Sequence, residues 1–94
     1  MNDKMRLQAS IDLVENIIHQ VSTQYTTMDN DSLKKDGSTY KVLVEYKYQI
    51  RTLGTFTMGE IVNCTDPNSE KATKYQAYIK TCVQQDMQNL IATQ

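Results

Sequence analysis

The residues that could support catalysis or bind a metal are few and widely spaced in this sequence. The single histidine, His19, lies four residues after Glu15, and the two cysteines are Cys64 and Cys82. A zinc site normally needs four closely spaced ligands, and a cysteine nucleophile normally needs an adjacent base. Neither spacing is present, so we predict no catalytic residue, no metal and no cofactor. We interpret His19 and Glu15 as a solvated helix pair, and the cysteines as buried, unlinked thiols.

Glu60 is the residue that departs most clearly from the local hydrophobic pattern. It follows Phe56 and Met58 at the two-residue spacing of a β-strand, so it is predicted to lie on the apolar face of that strand. Burial of a carboxylate is costly unless it accepts hydrogen bonds, and a tyrosine hydroxyl is a suitable donor. The register predicted for the hairpin places Glu60 opposite Tyr46, and we predict a hydrogen bond between them, with either a structural or an interface role.

Basic and aromatic residues are interleaved through residues 41–51. The basic residues are Lys41, Lys47 and Arg51, and the tyrosines are Tyr46 and Tyr48. A sheet that carries both types can hold a single nucleic-acid strand by stacking and charge. In an extended strand, however, the two types point to opposite faces, and the tyrosine face is needed for packing. Nucleic-acid binding through the basic outer face is therefore an alternative that we do not favour.

Hydrophobic periodicity predicts the elements that position these residues. Apolar residues recur at steps of three and four through residues 5–27 and again through 67–91, which indicates two amphipathic helices. Polar turn-forming residues dominate 28–38, which is predicted to be a loop. Apolar and polar residues alternate through 39–65, which predicts a β-hairpin. Asp66-Pro67 is predicted to cap and begin the second helix.

The register of the predicted hairpin follows from its alternation. Residues on one face can lie opposite one another only across a loop with an odd number of residues. The three-residue loop 52–54 satisfies this condition, and Gly54 can adopt the left-handed conformation that closes such a loop. The apolar face that the helices cover then carries Val42, Val44, Tyr46, Tyr48 and Ile50.

The predicted fold class is α+β, in the order helix, two-stranded antiparallel hairpin, helix, within one small domain of residues 1–94. Both helices are expected to cover one face of the hairpin, because a two-stranded sheet is marginal alone. Hydrophobic residues make up 39% of the 94-residue chain. Because this share is low for a small globular core, we predict a homodimer in which two hairpins extend one sheet.

Charge and hydropathy limit the classes of partner. Ten lysine and arginine residues against eleven aspartate and glutamate residues give a net charge of −1, which argues against a dedicated DNA-backbone binder. The beginning of the sequence has no signal-peptide pattern, and no segment approaches the roughly 18 apolar residues of a membrane span. We expect a cytoplasmic protein that does not bind membranes.

Binding is favoured over catalysis because no catalytic constellation is assembled in the sequence. The favoured function is a non-enzymatic, intracellular protein-interaction module whose protein partner is unidentified. We interpret it as a phage or mobile-element protein that inhibits or adapts a host protein machinery. The candidate interaction residues are Glu60, Tyr46, Tyr48, Lys41, Lys47 and Arg51.

Overall fold

The computed structural model describes residues 3–25 and 27–93, so residue 26 of the predicted first helix lies outside the described residues. The elements are helix α1 (Asp3–Ser22), strands β1 (Met28–Asp36), β2 (Thr39–Tyr46) and β3 (Gln49–Thr57), helix α2 (Met58–Val62), a 3₁₀ turn (Asn63–Thr65) and helix α3 (Ser69–Ala92). The predicted α+β class is confirmed, but the antiparallel sheet has three strands in the order β1-β2-β3 rather than two. None of the helices in these two ranges has the length and apolar character needed to cross a membrane.

The segment 28–38, predicted to be a loop, is instead strand β1 followed by a tight turn. Gly37, with φ of 64°, and Ser38 connect β1 to β2, and Asp36 pairs with Thr39. A left-handed glycine at the first position of a two-residue turn matches the twist of hairpin strands. The prediction was wrong because β1 is an edge strand, and most of its polar side chains are exposed or half-buried.

The turn between β2 and β3 lies at Lys47 and Tyr48, not at the predicted 52–54. Both residues have a left-handed backbone, with φ of 51° and 67°, and Tyr46 pairs with Gln49 across them. Two left-handed residues form the type I′ geometry of a two-residue hairpin turn. Lysine and tyrosine are rarely found in this conformation, so the sequence pattern favoured the segment that contains a glycine.

A β-bulge reverses the alternation of side chains along β3. Val42 pairs with Gly54 and the next residue of β2 pairs with Thr52, which leaves Leu53 as an extra residue. Leu53 packs against the core, whereas Ile50 is 76% exposed on the opposite face. The turn at Lys47 and Tyr48 places Ile50 opposite Glu45, so the prediction that Ile50 faces the core is wrong. The extra residue then returns the second half of the strand, including Phe56, to the core face.

Residues 58–62, predicted to continue the second strand, form helix α2. The Oγ1 atom of Thr57 accepts a hydrogen bond from the Glu60 amide at 3.1 Å, and Glu60 Oε1 accepts one from the Thr57 amide at 2.9 Å. This reciprocal capping box satisfies two backbone donors at the start of the helix. It overrides the period-two pattern, so the predicted hairpin ends at Thr57 instead of residue 65.

The bounds of the two long helices differ from those predicted. Helix α1 ends at Ser22, and α3 begins at Ser69. The side chain of Asn68, rather than that of Asp66, accepts hydrogen bonds from two backbone amides in the first turn of α3. Asp66 instead accepts a hydrogen bond from the Asn68 amide at 2.8 Å and lies 3.5 Å from a guanidinium nitrogen of Arg6.

The core lies between the sheet and helices α1 and α3. Val42 and Val44 alternate with half-buried residues along β2 and are fully buried, as are Ile18 of α1 and Ile79 of α3. Tyr46 lies on the same buried face of β2, so the prediction for these three β2 residues is confirmed. Burial of each aliphatic side chain stabilises the fold by roughly 1.5–3 kcal/mol. No element within residues 3–25 and 27–93 covers the other face of the sheet, which we call the uncovered face.

We expect Tyr48→Gly to stabilise the fold. The left-handed conformation costs a residue with a Cβ atom about 1–2 kcal/mol, and the greater freedom of glycine in the unfolded chain offsets roughly 0.5–1 kcal/mol of that gain. Urea denaturation should therefore show a net increase of about 0.5–1 kcal/mol in the free energy of unfolding. As a control, Thr55→Gly at an exposed position of β3 should lower it. A loss of stability in Tyr48→Gly would contradict the left-handed turn.

Candidate interaction surface

Lys47 and Tyr48 lie at the end of the β2–β3 hairpin, where one tyrosine is presented to solvent and another is buried. Tyr48 is 95% exposed, so its predicted place on the core face is wrong. Tyr46 is 4% exposed, and the Lys47 ammonium lies 5.4 Å from the centroid of its ring in a cation–π contact. Lys47 therefore packs on Tyr46, which belongs to the core, and the ring of Tyr48 remains in solvent.

Two carboxylates and a second apolar side chain surround this turn. Ile50 lies opposite Glu45 in the sheet, and Glu45 also lies opposite Asp29 of β1. Asp29, Glu45, Lys47 and Tyr48 line a shallow cavity of about 220 Å³. We call Asp29, Glu45, Lys47, Tyr48 and Ile50 the hairpin tip. It combines two exposed apolar side chains with a rim of mixed charge.

The backbone of Tyr48 is the unusual feature of the tip. Its φ of 67° lies in the left-handed region, where glycine and asparagine are the usual residues. A bulky aromatic residue there costs stability, and its ring makes no compensating contact with the core because it is almost wholly exposed. A disfavoured backbone of this kind is a physical reason to look for a function of the side chain.

Lys41 lies on the uncovered face, directly opposite Lys34 of β1. Its ammonium group lies 2.8 Å from the Asp36 carboxylate, and this hydrogen-bonded contact lowers the pKa of Asp36. Arg51, predicted to share the face of Lys41, lies opposite the buried Val44 because the turn is at Lys47 and Tyr48. The continuous basic outer face predicted for the hairpin is therefore not formed.

Glu60 interacts with Tyr78 of α3, so its predicted pairing with Tyr46 is wrong. The Glu60 carboxylate, through a hydrogen bond and its charge, raises the pKa of Tyr78 to about 12. The ring of Tyr78 packs edge-on against Phe56, with 6.1 Å between the ring centroids. The spacing of Thr57 and Glu60 is the sequence signal that could have placed this glutamate at a helix start.

Both cysteines are free thiols in the structure, but Cys82 is half-buried and not buried as predicted. Cys64 is buried, and its Sγ donates a hydrogen bond to the backbone carbonyl of Glu60 at 3.5 Å. Burial, assisted by the charge of Glu60, raises the pKa of the Cys64 thiol to about 11. A thiol that resists ionisation is a poor nucleophile, so Cys64 is suited to packing rather than to covalent catalysis.

His19 contacts strand β1 rather than its predicted neighbour Glu15. Its Nδ1 atom lies 3.1 Å from Asp31 Oδ2, and the same oxygen accepts a hydrogen bond from the Ser22 hydroxyl at 2.7 Å. These contacts join the end of α1 to the bulged part of β1. Across the described ranges, no three side chains of histidine, cysteine, aspartate or glutamate are grouped to hold a metal ion.

A second surface feature lies where α1 begins beside α2. A groove of about 390 Å³ has an apolar floor and a charged rim. We call it the α1–α2 groove; Leu7, Met58 and Val62 form its floor, and Asp3, Lys4 and Arg6 form its rim. Sequence reasoning missed it because residues 58–62 were assigned to a strand.

Comparison with protein-family models, with curated proteins and with solved structures finds no match for this chain.

We expect Glu60→Gln to lower the pKa of Tyr78 without loss of stability. Glutamine can accept the same hydrogen bond from the Thr57 amide, so the capping box should persist. Loss of the negative charge should return the Tyr78 pKa from about 12 toward its ordinary 10.0. Absorbance titration measures this value, with Tyr78→Phe identifying the signal among the six tyrosines.

Glu60→Ala provides the matched comparison because it removes both the cap and the charge. It should lower the Tyr78 pKa in the same way and also reduce the free energy of unfolding by about 1 kcal/mol. An unchanged Tyr78 pKa in both variants would show that Glu60 and Tyr78 do not interact.

Proposed function

We propose that this chain is a protein-interaction module that binds a partner protein through the hairpin tip. The observation that carries this proposal is Tyr48, which is 95% exposed on a backbone with φ of 67°. Glycine would form the same turn at lower cost, so the tyrosine is best explained by a contact that its ring makes outside the chain. Tyrosine is also among the residues that most often dominate the binding energy of protein interfaces.

The surroundings of Tyr48 fit a protein interface. Ile50, 76% exposed, extends the apolar surface, and Asp29, Glu45 and Lys47 supply a polar rim of both signs. Protein interfaces commonly combine an apolar centre with a polar, solvent-accessible rim. The two apolar side chains would therefore serve as the anchor and the charged groups would select among partners.

We infer a binding role rather than an enzymatic one because Cys64 and His19 both serve the fold. Cys64 is buried with a raised thiol pKa, and His19 joins α1 to β1. A module of this kind acts by occupying or bridging a surface of its partner. We therefore keep the interpretation of a cytoplasmic inhibitor or adaptor of a host protein machinery, encoded by a phage or mobile element.

Nucleic-acid binding has weaker support. Lys34 and Lys41 lie side by side on the uncovered face, but Asp36 pairs with Lys41. The tyrosines of β2, Tyr40 and Tyr46, are buried on the opposite face and provide no stacking surface beside these lysines. The uncovered face therefore lacks the combination of charge and aromatic rings that single-strand binding uses.

Site-specific photo-cross-linking tests the proposed function. A benzophenone amino acid at position 48 should form a discrete protein adduct in nuclease-treated lysate of the source cells, with the chain present at nanomolar concentration. The same group at Gln85, an exposed position on α3, should not. Excess wild-type protein should suppress the adduct, whereas excess Tyr48→Gly protein should not, because it folds but lacks the ring.

Two results would contradict the proposal. The first is the absence of any discrete protein adduct at position 48. The second is an adduct that contains nucleic acid and forms only when the nuclease treatment is left out, which would instead support the nucleic-acid alternative.

A further inference from the structure

We propose that the hairpin tip of one copy of the chain docks in the α1–α2 groove of a second copy, so that copies join head to tail. The inference rests on the proposed function in assigning the tip to protein binding, and it names a second copy as one partner. It also replaces the predicted edge-to-edge homodimer with a different form of self-association.

The tip and the groove lie at opposite ends of the molecule. Strand β3 begins at Gln49, next to the tip, and ends at Thr57, immediately before α2. A nine-residue strand at about 3.3 Å per residue spans about 30 Å. The longest dimension of the chain is 42 Å. One molecule therefore cannot insert its tip into its own groove, whereas two molecules aligned end to end can.

The shapes and polarities of the two surfaces match. The ring of Tyr48 and the side chain of Ile50 project into solvent, and the groove offers an apolar floor that includes Met58, which is 37% exposed. The groove volume of about 390 Å³ exceeds that of one tyrosine side chain. Transfer of these apolar groups from water into the groove supplies the attraction, because apolar surface removed from water contributes about 25 cal/mol per Å².

The charges around the two surfaces are also complementary. At the tip, the carboxylates of Asp29 and Glu45 accompany the ammonium of Lys47. On the groove rim, the cations Lys4 and Arg6 accompany Asp3.

The tip therefore carries an excess of negative charge, which the cations of the groove rim can attract. Arg6 already lies 3.5 Å from Asp66, so Lys4 is the main cation available to a docked tip.

The contact is heterologous because different surfaces of the two copies meet. Contacts of this type produce open chains of molecules unless the rotation between neighbours closes a ring. A few side chains in one groove bury much less than the roughly 1,200–2,000 Å² of a stable interface, so the association should be weak. We expect this head-to-tail association to occur at high micromolar concentrations of the protein.

A mixing experiment tests the proposal with two variants that each disable one surface. Tyr48→Gly removes the ring from the tip and keeps the groove. Met58→Glu places a negative charge on the groove floor, facing the acidic tip, and a carboxylate at the start of α2 is favourable to that helix. Both substitutions change exposed side chains, and circular dichroism confirms that each variant is folded.

Sedimentation equilibrium gives the expected results. The mass of the wild type should rise with concentration above the 10.8 kDa of one chain, and each variant alone should stay at that mass. An equimolar mixture of the variants should form a heterodimer and stop there, because only one intact tip and one intact groove can meet.

Three outcomes would overturn the proposal: a wild type that stays monomeric to the order of 1 mM, a dimer that persists in each variant alone, or a mixture that remains monomeric when the wild type associates. The persistent dimer would indicate pairing through the β3 edge. Failure here leaves the lysate adduct at Tyr48 intact, since that experiment detects a different protein at a concentration too low for self-association. Head-to-tail assembly without a lysate adduct would show that the tip binds only copies of this chain.

Discussion

Two consecutive left-handed residues, Lys47 and Tyr48, set the register between β2 and β3, and the rest of the structure depends on that register. With the turn at this point, Tyr46 faces the helices and β3 ends at Thr57. The residues that follow can then form helix α2, closed by the capping box between Thr57 and Glu60. A turn five residues later, at the predicted 52–54, would have paired the same residues in a different register.

The features that sequence reasoning predicted are those with a strong hydrophobic period. Val42 and Val44 alternate with more polar residues along β2, and the pattern placed both correctly in the core. The two long helices were also predicted because their apolar stripes continue over several turns. Strand β1 was missed since an edge strand with one open side needs few apolar residues, although Gly37-Ser38 is a recognisable two-residue turn.

The candidate site was predicted less well because it depends on exceptions to local rules. Glu60 was predicted to break the apolar face of a strand but lies in helix α2, and its contact with Tyr78 depends on how α3 packs, which no local pattern specifies. The bulge at Leu53 puts Ile50 and Phe56 on opposite faces of β3 and cannot be read from alternation alone. Tyr48 was placed in the core because a tyrosine is disfavoured in a left-handed turn. Such conflicts between local preference and structure are expected at functional sites.

The most direct test of the central claim is an NMR measurement of short interproton distances across the β2–β3 hairpin. We expect backbone contacts between Tyr46 and Gln49 and between Val44 and Arg51, together with the close amide-to-α-proton contact within Tyr48 that a left-handed backbone produces. Backbone contacts between Ile50 and Phe56, as a three-residue turn at 52–54 would give, would contradict the register and with it the exposed position of Tyr48.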